Sequence, residues 1–343
     1  MSGPSLRFDV TTGDWVAFSA ARALRPHELT PQSRRPTAEY DPECPFCPGA
    51  ALATVLLDEE PQLGSASAHD APWQVRALAN RYPALMTEEP FARRSFGPLF
   101  REMSGYGAHE VIVISPNHSR PLALSPLEEI ALALEVMRRR CAALGAQPSF
   151  EVVQLFQNHG ARAGASLQHP HFQILAAPVV PRQMRIKYAV AAEYYHATGS
   201  SVYSDLCRDE LASGERLVFT NAEFVAFAPF ASRVAFETWI IPRAGGTSFA
   251  DLAPDKLPLL AEAIQAVLGR LYFALSDPAY NLIVNSAPRR HTDEPDFVWH
   301  IEILPRLSIE AGFELATGMA INSVLPETAA AELRAAEAQA KAR

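Results

Sequence analysis

Short apolar runs recur along the chain, each closed by proline, glycine or asparagine, and two longer stretches between them switch to a helical period. Glu110 to Ser115 (EVIVIS) is almost continuously apolar and β-branched, the pattern of a strand buried on both faces, and it stops at Pro116. Ser125, Pro126 and Glu128 then offer an N-cap, a proline for the first helical position and a capping-box acid. Leu127, Ile130, Ala131, Leu134 and Met137 follow at a 3.6-residue period, and Gly145 suits the C-terminal end. Phe150 to Phe156 predicts a second strand; after a small-residue loop, a third leaves through Ile174 and Leu175. Nearer the N-terminus, Leu6 to Phe18 reads as a hairpin turning at Thr12, Gly13 and Asp14, and Trp73 to Leu85 holds a short strand ending at Asn80. Leu57 to Ala71 is acidic, rich in glycine and serine and aperiodic, which predicts an exposed loop.

The second half repeats this order. Phe219 to Phe227 reads as one strand, and Phe236 to Ile241 (FETWII) as another that ends in Pro242. Asp255 to Leu275 is an amphipathic helix with Leu259, Leu260, Ala263, Ile264, Val267 and Leu271 on its inner stripe, and Pro254 and Pro258 compete for its first turn. Tyr280 to Asn285 and Val298 to Pro305 form a strand pair. EVIVISP, helix, VVQLFQN, HFQILAAP thus matches ETWIIP, helix, YNLIVNS, HIEILP, an internal duplication. Its register sets His300 against His171, Glu302 against Gln173 and Val298 against His169, so one half keeps a paired-histidine face that the other lacks. Lys187 to Arg216 reads as a polar, helical connector, and Pro326 to Arg343 as a peripheral helix.

The chemistry concentrates between Phe156 and Pro178 (FQNHGARAGASLQHPHFQILAAP). Residues two apart in a strand share a face, so His169, His171 and Gln173 line one side together, beside a loop whose Gly160 and Gly164 let a ligand approach the backbone. Such a face suits a phosphate better than a core. Cys44 and Cys47 sit between prolines in a non-helical knuckle, where both thiolates can bind one metal ion; a redox pair would normally open a helix, which Pro45 and Pro48 oppose. Arg22 and Arg25 are either a solvated face or a phosphate clamp. Cys141 and Cys207 stand alone, and His27, His69, His109, His159 and His196 are assigned to loops or surface by default. A net charge of −8 argues against general nucleic-acid binding. No apolar run approaches a membrane span and the first residues lack a signal-peptide pattern, so the chain reads as cytoplasmic and free of the membrane.

Taken together, RFDVTTGDWV, RALRP, CPFCPG, RALANRYPAL, HEVIVISPNHS, FQNHGARAGASLQHPHFQ, APFASRVAFETWIIP and GFELATGMAIN span nearly the whole chain. In that order they resemble the galactose-1-phosphate uridylyltransferase branch of the histidine triad superfamily, including its ADP-glucose phosphorylase-like group. The resemblance implies an α/β (α+β) subunit of two tandem histidine-triad-like lobes, each an open antiparallel sheet flanked by helices, paired as a homodimer. Residues 1–182 would carry the zinc and the nucleophile, and residues 183–343 the substrate wall and sugar contacts. His171 would attack the α-phosphorus of a nucleotide sugar, its other ring nitrogen bonded to the main chain of His169, giving a nucleotidyl-histidine. Gln173, standing where the superfamily's hydrolases have a histidine, donates a hydrogen bond but supplies no general acid, which favours transfer over hydrolysis. Asn158, Gly164 and Ser166 match phosphate-contacting positions, Arg22, Arg25 and Asn80 lie at nucleotide-proximal ones, and Phe313 and Glu314 match the segment that reaches sugar hydroxyls. Cys44, Cys47, His118 and His169 would close around one structural zinc. A second metal position is expected to be absent, with only His291 and His300 as remnants. The implied reaction exchanges a nucleoside monophosphate between a nucleotide sugar and a sugar phosphate, UDP-glucose and galactose 1-phosphate first. ADP-glucose with inorganic phosphate is the alternative, and a non-catalytic nucleotide-binding regulator is the alternative of another class.

Overall fold

A computed structural model describes residues 3–19, 38–50, 54–59, 73–88, 90–292 and 294–337. In chain order its strands are β1 (Ser5–Phe8), β2 (Trp15–Phe18), β3 (Val55–Glu59), β4 (Val75–Ala79), β5 (Arg93–Phe96), β6 (Phe100–Met103), β7 (Ala108–Val113), β8 (Val152–His159), β9 (His171–Ala177), β10 (Leu217–Thr220), β11 (Phe224–Phe227), β12 (Thr238–Pro242), β13 (Tyr280–Asn285), β14 (His300–Pro305) and β15 (Ile321–Asn322). The α-helices are α1 (Leu127–Gly145), α2 (Arg182–Thr198), α3 (Val202–Ser213), α4 (Leu257–Leu275), α5 (Gly312–Thr317) and α6 (Pro326–Ala335).

Ten strands form one sheet in the order β10-β11-β12-β14-β13-β8-β9-β7-β4-β3, every neighbouring pair antiparallel. The order is a palindrome about the β13–β8 seam: β12, β14 and β13 on one side answer β7, β9 and β8 on the other, which is the duplication seen in the sequence. The two halves are therefore joined edge to edge, with Asn281 paired to Asn158 and Ile283 to Phe156 across the seam.

One face of the sheet is buried beneath α1 and α4. Ile130, Leu134 and Met137 of α1, and Leu260, Ile264, Val267 and Leu271 of α4, share a core with Ile112, Leu155, Ile174, Leu282 and Ile301. The opposite face is covered unevenly. In the C-terminal half, α2 and α3 pack Tyr188, Ala191 and Tyr203 on Val225, Phe227, Trp239 and Ile241. In the N-terminal half, among the described residues, Trp73 and Phe46 roof Leu78, Val111 and Val113. Because the residues of β7 alternate between these two cores, its sequence is apolar at nearly every position. The exceptions are His109 and Glu110, the latter buried and held by a two-pronged bond from Arg140 of α1 at 2.6 and 2.8 Å. Between the two roofs lies a cleft of about 660 Å³, lined by Asn158, Leu175, Lys187, Asn281 and Arg306 among others. The helical stretch Pro254–Leu275 is the single one, among the described residues, long and apolar enough to cross a membrane, and α4 within it is a core helix.

Several expected elements differ in detail. Pro126 is extended (φ −57°, ψ 148°), so α1 begins at Leu127 with Pro126 as its cap residue, and the Ser125 hydroxyl donates instead to the carbonyl of Pro121. Phe219 to Phe227 is a hairpin of β10 and β11, turned where Asn221 Oδ1 accepts the N–H groups of Glu223 and Phe224. Leu57 to Glu59 belongs to edge strand β3 rather than to a loop, and 60–72 lie outside the described residues. The second strand runs from Val152 to His159, starting later and ending later than its apolar run. The N-terminal hairpin stands as expected, with Asp9 accepting from Thr11 and Thr12 at its turn.

Candidate active site and metal cluster

His171 opens β9, an interior strand between β8 and β7. Its Nδ1 lies 2.7 Å from the carbonyl oxygen of His169, which can only accept, so Nδ1 carries the proton and Nε2 keeps its lone pair. The ring is 7% exposed and leans edge-on against Phe46 at 5.1 Å between centroids. Burial lowers its pKa below the ordinary 6.5, against the raising effect of the His169 carbonyl, so the imidazole is neutral at physiological pH. A neutral imidazole with one nitrogen pinned and the other free is a nucleophile.

His169 itself is fully buried, and its Nε2 donates to the carbonyl of Ser115 at 2.8 Å. That bond leaves Nδ1 as the lone-pair nitrogen, and it faces Cys44 Sγ at 3.7 Å and Cys47 Sγ at 3.6 Å; His118 Nδ1 lies 3.4 Å from Cys47 Sγ. All four ligand atoms fall within 4.8 Å of one another. A tetrahedral ion with metal–sulfur bonds of about 2.3 Å and metal–nitrogen bonds of about 2.05 Å sets sulfur and nitrogen about 3.6 Å apart, close to these three sulfur–nitrogen distances. Backbone N–H groups of Phe46 and Asp41 point at Cys44 Sγ and Cys47 Sγ, both at 3.4 Å, which suits thiolates. Without an ion, burial pushes the Cys47 thiol up to about 11, against the lowering Asp41 N–H.

Two amides flank His171 on the same face. Gln173 lies two residues along β9, and the β8–β9 register, which pairs Phe156 with Gln173, sets Asn158 opposite His171 when continued by two residues. Asn158 Oδ1 accepts from Asn281 Nδ2 at 2.7 Å across the seam, and Arg306 Nε donates to Asn281 Oδ1 at 2.5 Å. Arginine cannot accept, so the orientation of both amides follows, and the amino group of Asn158 is left for a ligand. Gly160 adopts φ 79°, ψ 155°, where a Cβ would meet that of Ala279 at 2.8 Å. Gly164 is left-handed at φ 86° with open space at its Cβ position, and Ser166 is exposed on the same loop.

Other expected residues fall elsewhere. Arg22 and Arg25 lie outside the described residues. Phe313 is exposed on α5, and Glu314 Oε2 accepts the N–H of Ala311 in the manner of a helix cap; among the described residues no hydrogen bond, ion pair or ring contact joins either to His171 or Gln173. Asn80 Oδ1 accepts from Tyr82 N–H, and its amino group lies against the ring of His109. His109 and His159, assigned to loop or surface by default, both make specific bonds: His109 to Gln173 at 2.9 Å, and His159 to Asp277 at 3.0 Å while stacked on Tyr280. His109 sits on β7, where Val111 pairs with Gln173, so the contact is a cross-strand diagonal that linear spacing hides. Its signal lay in the alternation: two residues before Val111 is the same face.

The duplicated half shows what His171 would look like if silenced. His300 Nδ1 bonds the Val298 carbonyl at 2.9 Å, as His171 bonds His169, but His300 is fully buried between Tyr203 and Trp239, with centroids at 4.8 and 4.9 Å. Glu302, ion-paired to Lys187, lies 3.4 Å from its Nε2. His300 is a packed core residue. Among the described residues, the Cys44, Cys47, His118 and His169 group is the one cluster fit to hold a metal.

A pinned, neutral imidazole beside two oriented amides and a glycine loop is the equipment of enzymes that move nucleotidyl groups, and the protein is a nucleotidyltransferase. The profile of the galactose-1-phosphate uridyl transferase N-terminal domain matches residues 2–181, and the chain belongs to the galactose-1-phosphate uridylyltransferase family. It is 33% identical to an ADP-glucose phosphorylase of Arabidopsis thaliana over 96% of this chain and 92% of the relative. It is 28% identical to a galactose-1-phosphate uridylyltransferase of Thermotoga maritima over 97% and 99%. A crystal structure of an ADP-glucose phosphorylase from Arabidopsis thaliana with bound ADP-glucose superposes with a TM-score of 0.80 at 31% identity, covering 97% of this chain and 98% of that one.

Proposed function

We propose that His171 Nε2 attacks the α-phosphorus of a nucleoside diphosphate sugar. A nitrogen–phosphorus bond forms as the bond to the leaving sugar 1-phosphate oxygen breaks. The proton stays on Nδ1, donated in its hydrogen bond to the His169 carbonyl, so no proton need be shuttled. An acceptor phosphate oxygen then attacks the same phosphorus and frees the histidine. The Gln173 and Asn158 amino groups, with the Gly164–Ser166 loop, donate to the non-bridging oxygens as charge moves onto them. Gln173 has no proton to give to a leaving group and does not activate water, so the second step goes to a phosphate acceptor. The observation that carries this reading is the 2.7 Å bond between His171 Nδ1 and the His169 carbonyl, which fixes the tautomer a nucleophile needs.

UDP-glucose and galactose 1-phosphate are the first donor and acceptor in this reading. ADP-glucose with inorganic phosphate is a second, favoured by the higher identity to the Arabidopsis phosphorylase. Zinc suits the two-sulfur, two-nitrogen cluster; held by Cys44, Cys47, His118 and His169 with no open position, it would brace the His169 carbonyl that aims His171. Lobe 1–182 then holds the chemistry and lobe 183–343 the substrate wall. Phe313 and Glu314 would serve a sugar in a cytoplasmic homodimer. Incubation with UDP-glucose or ADP-glucose radiolabelled at the α-phosphate tests the proposal. Label on the protein that is acid-labile and base-stable, and absent from His171→Gly, is the expected result. Full transfer by His171→Gly would refute the nucleophile, and binding of both donors without labelling would favour a regulator.

A further inference from the structure

His109 does nothing in the reaction just described, yet its hydrogen bonds settle how Gln173 can behave. The Ala84 backbone N–H donates to His109 Nδ1 at 3.2 Å. A backbone N–H has no other role, so Nδ1 must be the unprotonated nitrogen and Nε2 must carry the hydrogen. Nε2 faces Gln173 at 2.9 Å, so the atom it meets has to accept, which makes it Oε1 and not the amino group. The Gln173 carbonyl is thereby spent on His109, and its amino group, without a partner among the described residues, is turned away from β7. Asn80 closes the arrangement: its own oxygen is taken by the Tyr82 N–H, and its amino group lies 3.2 and 3.5 Å from the two His109 ring nitrogens, pressing on the ring. The chain of dependence runs from the 80–84 turn through the His109 ring to one face of a glutamine amide.

The alternative orientation of that amide would matter. Turned over, Gln173 would present a carbonyl oxygen to a phosphate bearing negative charge, which repels where the amino group attracts. We infer that His109 is a positioning residue, which holds the Gln173 amide with its N–H groups toward the phosphorus under attack by His171. This rests on the nucleotidyl-transfer reading above and specifies which side chain prepares its oxyanion donor. It also assigns Asn80 to the packing of the His109 ring.

The test is a double-mutant cycle on the rate of protein labelling by the α-labelled donor. Removing an oxyanion donor outright lowers a rate by roughly 100- to 1000-fold, and leaving it free to rotate costs less. His109→Phe should therefore lower the labelling rate constant by about 10- to 100-fold, with the donor concentration for half-maximal rate little changed. In a Gln173→Ala background the same substitution should change the rate by less than about twofold, because no amide is left to orient. His109→Gln, whose amide can donate to Oε1, should recover most of the loss and guards against a fold defect in the phenylalanine variant. An undiminished rate in folded His109→Phe, or an equal loss with and without Gln173, overturns the positioning role while leaving the nucleophile intact. A wild-type protein that takes no label from either donor overturns the underlying reading, and this inference with it.

Discussion

Replacing Gly160 with alanine should unsettle both the fold and the chemistry, by two separable amounts. The residue sits at φ 79°, ψ 155°, a region that essentially only glycine occupies, and holding a side chain there costs about 1–3 kcal/mol. Its new methyl would lie 2.8 Å from Ala279 Cβ and 3.2 Å from Ala279 Cα. Both belong to a segment anchored by β13, and overpacking of this sort costs about 1–3 kcal/mol more. The expected destabilisation of Gly160→Ala is therefore about 2–6 kcal/mol, read from urea unfolding monitored by circular dichroism. Adding Ala279→Gly removes the 2.8 Å contact but leaves the 3.2 Å approach to the Cα of residue 279 and the backbone conformation, so the double variant should regain part of the packing share and keep a deficit of at least about 1–3 kcal/mol. The labelling rate should fall with Gly160→Ala, because the loop carrying Gly164 and Ser166 is hinged there. Wild-type stability in the single variant, or complete recovery in the double, would refute the reasoning.

Three further outcomes are expected. Since burial lowers the His171 pKa below 6.5, the imidazole stays in its reactive neutral form to lower pH than a free histidine; the labelling rate should stay level down to about pH 6.5 and fall only beneath it, and an inflection above that value would count against the assignment. Purified protein should contain close to one zinc per chain. Because burial raises the Cys47 thiol to about 11, zinc added to chelator-stripped protein should expel protons and bind more weakly as pH falls, as a pH-indicator titration would show; pH-independent uptake would contradict thiolate ligation. Burial works most strongly against a charged Glu302, but Lys187, His300 and Arg233 together outweigh it and hold the carboxylate well below its usual range. Lys187→Met should thus cost about 3–5 kcal/mol at neutral pH. That deficit should shrink on acidification, since the pair's contribution is present above the unfolded carboxylate's pKa and is lost as pH falls toward the folded one; a deficit that grew in acid would be inconsistent.

What could be read from the chain, and what could not, divides along the range of the interactions. The β9 motif was legible because its chemistry is local: His169 and His171 are two apart, and the bond joining them is set by that spacing. The Cys44–Cys47 knuckle was legible for the same reason, whereas its meeting with His118 and His169 needed the resemblance, since nothing in residue spacing shows that the end of β7 lies beside the start of β9. His109 escaped because its importance is a matter of register between two strands. The β10–β11 turn escaped because it is made by an asparagine side chain without the glycine or proline that marks most turns. Edge strand β3 escaped because its partly exposed Val55 and Leu56 and its acidic end carry little of the apolar signature of an interior strand. Arg22 and Arg25, carried by resemblance, fall outside the described residues and stay expectations.

The seam between β8 and β13 constrains how such a molecule can change over time. Splitting the gene at its midpoint would leave each product with a raw, hydrogen-bond-hungry border where the other used to be, an invitation to clump. Asn281, from the C-terminal copy, also reaches over that border to steer Asn158. A duplicated lobe of this kind can surrender its own reactivity freely, but it cannot be discarded.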